Sequence, residues 1–263
     1  MPVKCCVATI AFTMLVKQIL PAMVGILLSG GLAGGSLAQD YEALFKKCFA
    51  GGIPDQVIAS CSVVVGRQAV DKEDLATALK NRANAFDDKG EYARALEDLD
   101  RAIAINAQDA DAFNSRGTTY SALGHYERAI QDFDEAIQLN RTSPMAFGNR
   151  CFARALLGQL EQALADCNEA LRIKPNNPAA FASRAFAYLR LRRYEAAIAD
   201  YSTQLRMRPD DPYSLFGRGM ARYHKGDLRG GDADLVAAQS LKPDIAEHMA
   251  KLGVQLRELD GRR

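Results

Sequence analysis

The residues of this chain with most chemistry in them are its six cysteines. Cys48 and Cys61 have twelve residues between them in "KKCFAGGIPDQVIASCSVV". Cys151 and Cys167 bracket fifteen residues in "CFARALLGQLEQALADC", and Cys5 and Cys6 adjoin near the start. A thiol pair could hold a metal, cycle as a redox couple, supply a nucleophile or staple the chain. A zinc site wants more ligands than two thiols, and the three histidines, His125, His224 and His248, lie far apart in sequence. A redox dithiol usually has only two intervening residues. The adjacent carboxylates of "FDDKGEY" read as a solvated helix end, and no glycine-rich phosphate loop or Ser/His/Asp set appears. No catalytic residue, metal site or cofactor is assigned, and the chain is not read as an enzyme.

The composition is that of a soluble globular protein, 48% hydrophobic and 25% charged. With 33 basic against 32 acidic residues there is no basic stripe for nucleic acid. Residues 1–38 differ from the rest. They carry Lys4 and Lys17, no acid, and then the run "ILPAMVGILLSGGLAGGSLA", which ends with Ser36 and Ala38 at minus three and minus one of a junction. This is the layout of a secretory signal peptide cleaved after Ala38, with Met14 an alternative start. The competing reading is an uncleaved anchor helix, because the run approaches bilayer-spanning length. Export places the chain in the periplasm; an anchor would hold it at the inner membrane, the only membrane contact foreseen.

The elements that must position the cysteines announce themselves as a repeat. Five blocks of 34 residues stack from Ala76: 76–109, 110–143, 144–177, 178–211 and 212–245. Position 8 is small (Ala83, Gly117, Cys151, Ala185, Gly219), and so is position 20 (Ala95, Ala129, Ala163, Ala197, Gly231). Position 24 is Leu99, Phe133, Cys167, Tyr201 or Leu235, and Pro175, Pro209 and Pro243 stand at position 32. Gly90, Gly124, Gly158 and Gly226 fall at position 15, where a helix must end. Small residues at 8 and 20 let two helices approach, and large ones fill the flanks.

This pattern resembles the tetratricopeptide repeat, and the resemblance covers 170 consecutive residues. It implies an all-α, right-handed α-solenoid of stacked helix-turn-helix units, each needing its neighbours to bury its apolar face. Two features go beyond the family's general pattern. Position 7 is arginine in every block (Arg82, Arg116, Arg150, Arg184, Arg218), and position 23 is aspartate (Asp98, Asp132, Asp166, Asp200, Asp234). These read as structural ion pairs, formed within repeats, rather than a ladder of ligand-binding charges.

Extended upstream, the register makes 39–75 a degenerate first repeat with a four-residue insertion at Lys72 to Leu75. There Cys48 and Cys61 take positions 11 and 24, the pair that faces across the two helices in this family. The resemblance and the exported compartment imply a disulfide Cys48–Cys61, a closure worth about 3 kcal/mol. Cys151 and Cys167, at 8 and 24, imply a second; two small buried thiols are the alternative.

In this family the first helices line a concave face that holds peptides or protein segments. Carried over, that face offers Lys80, Asn84, Asn114 and Thr118 in its first half. Phe152, Phe186, Leu189, Tyr213, Phe216, Met220 and Tyr223 follow in its second. The chaperone-carboxylate clamp known in the family fails, since Lys80 and Asn84 fit but Ser115, Met145 and Asn149 do not. Residues 246–263 read as a capping helix and tail, with Ile245, Met249, Leu252, Leu256 and Leu259 on one stripe, so part of the groove could be filled by the chain's own cap. The resemblance extends to exported tetratricopeptide-repeat proteins of Gram-negative bacteria. It implies a non-enzymatic interaction scaffold of the cell envelope that binds a protein or extended peptide of unknown identity. The alternative is an adaptor that positions a cell-wall or outer-membrane-assembly enzyme.

Overall fold

The structure is a computed structural model that describes residues 33–67 and 70–255. Among the described residues there are thirteen α-helices and no strand. α1 (Ala33–Ala50) and α2 (Pro54–Val65) form the first hairpin. Five more follow: α3 (Lys72–Asp88) with α4 (Tyr92–Ile105), α5 (Ala110–Ala122) with α6 (Tyr126–Leu139), and α7 (Pro144–Leu156) with α8 (Leu160–Ile173). Then come α9 (Pro178–Arg190) with α10 (Tyr194–Met207), and α11 (Pro212–His224) with α12 (Leu228–Leu241). A short α13 (Ile245–Lys251) ends the array. Each helix of the five regular hairpins packs most extensively on its hairpin partner, α2 packs about equally on α1 and α3, and successive hairpins stack into an α-solenoid. The first helices of neighbouring hairpins also touch one another, α3 on α5, α5 on α7, α7 on α9 and α9 on α11. The second helices have no comparable mutual contact, so the first helices form the tighter, concave wall.

Local chemistry sets the helix ends. Pro144, Pro178 and Pro212 open α7, α9 and α11, where a missing amide hydrogen costs nothing. Ser143, Asn177 and Asp211 cap those helices through side-chain oxygens that accept backbone N–H groups. Gly90, Gly124, Gly158 and Gly226 turn the chain between hairpin helices at φ from 74° to 87°, a region that favours glycine. The fourth hairpin departs from this: Arg192 stands in that place at φ 59°. Within the hairpins the small positions are needed for clearance. A Cβ on Gly117 would come within 2.7 Å of the buried Phe133 ring.

Cys48 and Cys61 are joined as a disulfide between α1 and α2, with Cα atoms 4.8 Å apart. Around it Val57 and Val64 are buried with Ala78 and Ala85 of α3, and Phe45 stacks on Phe49. Cys151 and Cys167 are joined between α7 and α8.

The insertion read at Lys72 to Leu75 is an extra first turn of α3, which runs 17 residues against 13 in each later first helix and is capped by Asp71 through Glu73 N–H. Two boundaries differ from the sequence reading. α1 runs across the Ala38–Gln39 junction; most of the predicted signal segment lies outside the described residues. The predicted capping helix over 246–263 starts one residue earlier and stops at Lys251, after seven residues. Gly253, at φ 82°, turns the chain there. Leu256 and Leu259 lie outside the described residues. No helix among the described residues is long and apolar enough to cross a membrane.

Candidate partner-binding face

A repeated clasp fixes the wall on which any site must sit. In each of the five regular hairpins the position-7 arginine grips the position-23 aspartate with two hydrogen bonds. For Arg116 these are Nε to Asp132 Oδ2 at 2.9 Å and Nη2 to Oδ1 at 2.7 Å. Arg82–Asp98, Arg150–Asp166, Arg184–Asp200 and Arg218–Asp234 repeat the geometry. The aspartates are buried, so pairing offsets the cost of removing their charge from water. Asp132 holds the Arg116 guanidinium above its usual range, against the opposite pull of burial.

The third nitrogen of each guanidinium does what sequence reasoning missed. Arg116 Nη1 donates to Asp100, Arg150 to Asp134, Arg184 to Asn168 and Arg218 to Ser202. Arg82 Nη1 donates to Ser62 of the degenerate repeat. Every acceptor stands at position 25 of the preceding hairpin, so each arginine ties its own two helices to the unit before it. The signal was present as an unbroken column of polar acceptors: Ser62, Asp100, Asp134, Asn168, Ser202. Arg154 and Arg222, at the usually aromatic position 11, add a second arginine to Asp166 and Asp234.

On the concave side the predicted residues divide. Lys80 is tied to Asp109 at 2.7 Å, and that aspartate also caps α5. Asn114 is buried and accepts from Asn149 Nδ2 at 3.0 Å. Asn84 and Thr118 are exposed, with the Thr118 hydroxyl bonded back to the Asn114 carbonyl. In the second half, Phe186, Leu189, Phe216 and Met220 do not form an open surface. They are buried in one apolar cluster with Ile245, Met249 and Val254 of the C-terminal segment. The physical reason is the cap: α13 lays its own apolar stripe on α11 and α12. Tyr223 also leaves the groove. Its ring lies where a side chain on Gly231 would stand, and its hydroxyl donates to Asp232. What stays open is Tyr213, 40% exposed, and the half-buried Phe152.

Two cavities flank the cap. The first, of about 360 Å³, is apolar and lies between Phe152, Ala182, Phe186, Tyr213, Met249 and Leu252. The second, of about 210 Å³, is polar and lies beside Arg190, Arg192, Tyr194, His224, Gly253 and Val254. Among the described residues no group of three or more His, Cys, Asp or Glu could hold a metal ion.

Comparison with known proteins follows the repeat. Residues 110–143 match a family described as tetratricopeptide repeat, 83–124 and 148–191 one described as TPR repeat, and 184–230 a further tetratricopeptide repeat family. No curated protein matches the chain. Among solved structures, a tetratricopeptide repeat protein from Parabacteroides merdae is 16% identical with a TM-score of 0.62, over 85% of this chain and 93% of that one. YrrB, described as a TPR protein with an unusual peptide-binding site, is 21% identical with a TM-score of 0.51, over 73% of this chain and 97% of its own. A chain of the APC/C hetero-tetramer Cut9–Hcn1 is 17% identical with a TM-score of 0.67, over 77% of this chain and 40% of that one. At these identities the structural likeness speaks for the fold. Taken with the matched families, which together span 83–143 and 148–230, it has one reading: the chain belongs to the tetratricopeptide-repeat family.

Proposed function

We propose that this chain is a non-enzymatic scaffold that holds an extended segment of a partner protein along its concave face. The observation that carries the reading is the apolar cavity of about 360 Å³ beside Phe152, Ala182 and Tyr213. It has the size and apolar lining of a pocket for a large side chain, in a wall stiffened by the arginine clasps. A preformed groove lowers the ordering cost of binding. The cap narrows the site: the segment docks on the strip bounded by Asn84, Thr118, Phe152 and Tyr213 rather than on the whole second half. We place the scaffold in the cell envelope, supported by the signal-like residues 1–38 and by two disulfides, which persist in oxidising compartments. That YrrB has a peptide-binding site, by its description, agrees with a peptide ligand here.

The test is a photo-crosslinker placed at Ala182, on the cavity wall, and at Val236, 64% exposed on α12. The chain is expressed in an envelope-bearing host. A discrete adduct from position 182, absent from position 236 and abolished by S183W, which fills the cavity from another of its lining residues, is expected. Equal labelling from both positions would sink the concave-face assignment.

A further inference from the structure

We propose that the polar cavity on the far side of the cap is an anion subsite, which takes a carboxylate of an acidic partner segment through Arg192 and Arg190. This deepens the partner-binding reading and rests on it. The first observation is a broken rule. Four of the five regular hairpins place glycine at the turn where φ is positive, and only the fourth places arginine there, at φ 59°. A non-glycine residue in that region costs conformational energy, and such costs gather where a side chain is needed for function. The second observation is its place: this exposed arginine is one of the residues that line the 210 Å³ cavity, with Arg190, Tyr194 and His224.

The third observation is charge. Neighbouring cations are already neutralised, Arg193 by Glu161 at 2.7 Å and Lys225 by Glu195. Arg190 spends one nitrogen on the carbonyls of Ala155 and Leu156, which are neutral acceptors. Among the described residues, the Arg192 backbone N–H donates to the Leu189 carbonyl and its side chain makes no hydrogen bond. Two arginines thus line one cavity, and among the described residues no carboxylate pairs with either. An arginine fork matches a carboxylate with two parallel hydrogen bonds. The Tyr194 ring, stacked on His224 at 4.6 Å between centroids, forms a wall of the cavity. Leu189 and Met220 close its floor.

The test is fluorescence anisotropy at fixed ionic strength, with the full chain and two labelled hexapeptides, one of glutamate and one of glutamine. The glutamate peptide is expected to bind at least tenfold more tightly. R192G and R192Q should each lose about tenfold of that affinity, and R192K should lose part of it, since lysine keeps the charge without the fork. Only R192G should also raise the thermal midpoint, since it alone relieves the strained φ. Equal binding of the two peptides, or unchanged binding by R192G and R192Q, overturns the subsite. Binding that appears only in the E258Q/D260N chain would give the cavity to the chain's own C-terminal carboxylates and overturn the partner assignment. Any of these failures leaves the adduct at position 182 intact, so it is distinguishable from failure of the concave-face reading.

Discussion

Asp87 is half-buried in the last turn of α3, where the sequence reads as a solvated helix end. Its Oδ1 is buried without a hydrogen-bond partner. Burial raises its carboxyl above the usual 3.8, the Thr119 hydroxyl pulls the other way, and the charge of Asp88 adds to the rise. A folded-state value above the unfolded one means the fold prefers the protonated acid. Its contribution is therefore fully present below the usual value and lost as pH rises through the raised one. D87N should stabilise the chain at pH 7 by under about 1 kcal/mol, a small gain because the residue is half exposed. The gain should vanish below pH 3.8, where both states carry a proton. Urea unfolding of both chains at the two pH values checks it; an equal gain at both would exclude the carboxyl as its origin.

At the scale of helices, much was legible because repetition averages out local ambiguity. Five copies in register fixed the hairpins, the glycine turns and the proline starts, and the cysteines at facing positions fell on facing helices. The insertion at Lys72 to Leu75 was legible as well, and it lengthens α3 by one turn over the later first helices. Two things were not legible. The cap was read as long because Leu256 and Leu259 continue its stripe, while Gly253 ends the helix. Phe186, Leu189, Phe216 and Met220 carry the same sequence signal whether they meet a ligand or the chain's own cap. The clasp between hairpins also gives a prediction at this scale. R116M leaves Asp132, with 7% of its side chain exposed, without its cation, and should cost about 3 kcal/mol. R116M/D132L should recover most of that. D100A, which removes only the exposed acceptor of the previous hairpin, should cost under about 1 kcal/mol. Denaturant midpoints of the three variants give the ordering, and a D100A loss equal to that of R116M would move the energy from the hairpin to the link between hairpins.

For the whole molecule the question is where it works. If the chain is exported and cleaved, intact mass of protein from the periplasmic fraction of a Gram-negative host begins at Gln39. Before reduction it is four hydrogens lighter than after, one pair for each disulfide. A full-length chain with free thiols would return the scaffold to a reducing compartment and remove the envelope from its function. Either way the architecture is a short rod of stacked hairpins, capped at its C-terminal end by α13, with two cavities of opposite character on either side of that cap.

The arginine clasp also has a direction. Each guanidinium reaches back to position 25 of the hairpin before it, never forward to the one after. If the chain is exported N-terminus first, its N-terminal units are also the first to reach the oxidising compartment in which the disulfide forms. Every new hairpin therefore emerges with its acceptor already in place, and the first acceptor, Ser62, waits on a unit closed by the Cys48–Cys61 bond. The rod is built to grow one way, each unit docking on a finished predecessor, until α13 covers the apolar face of the last hairpin.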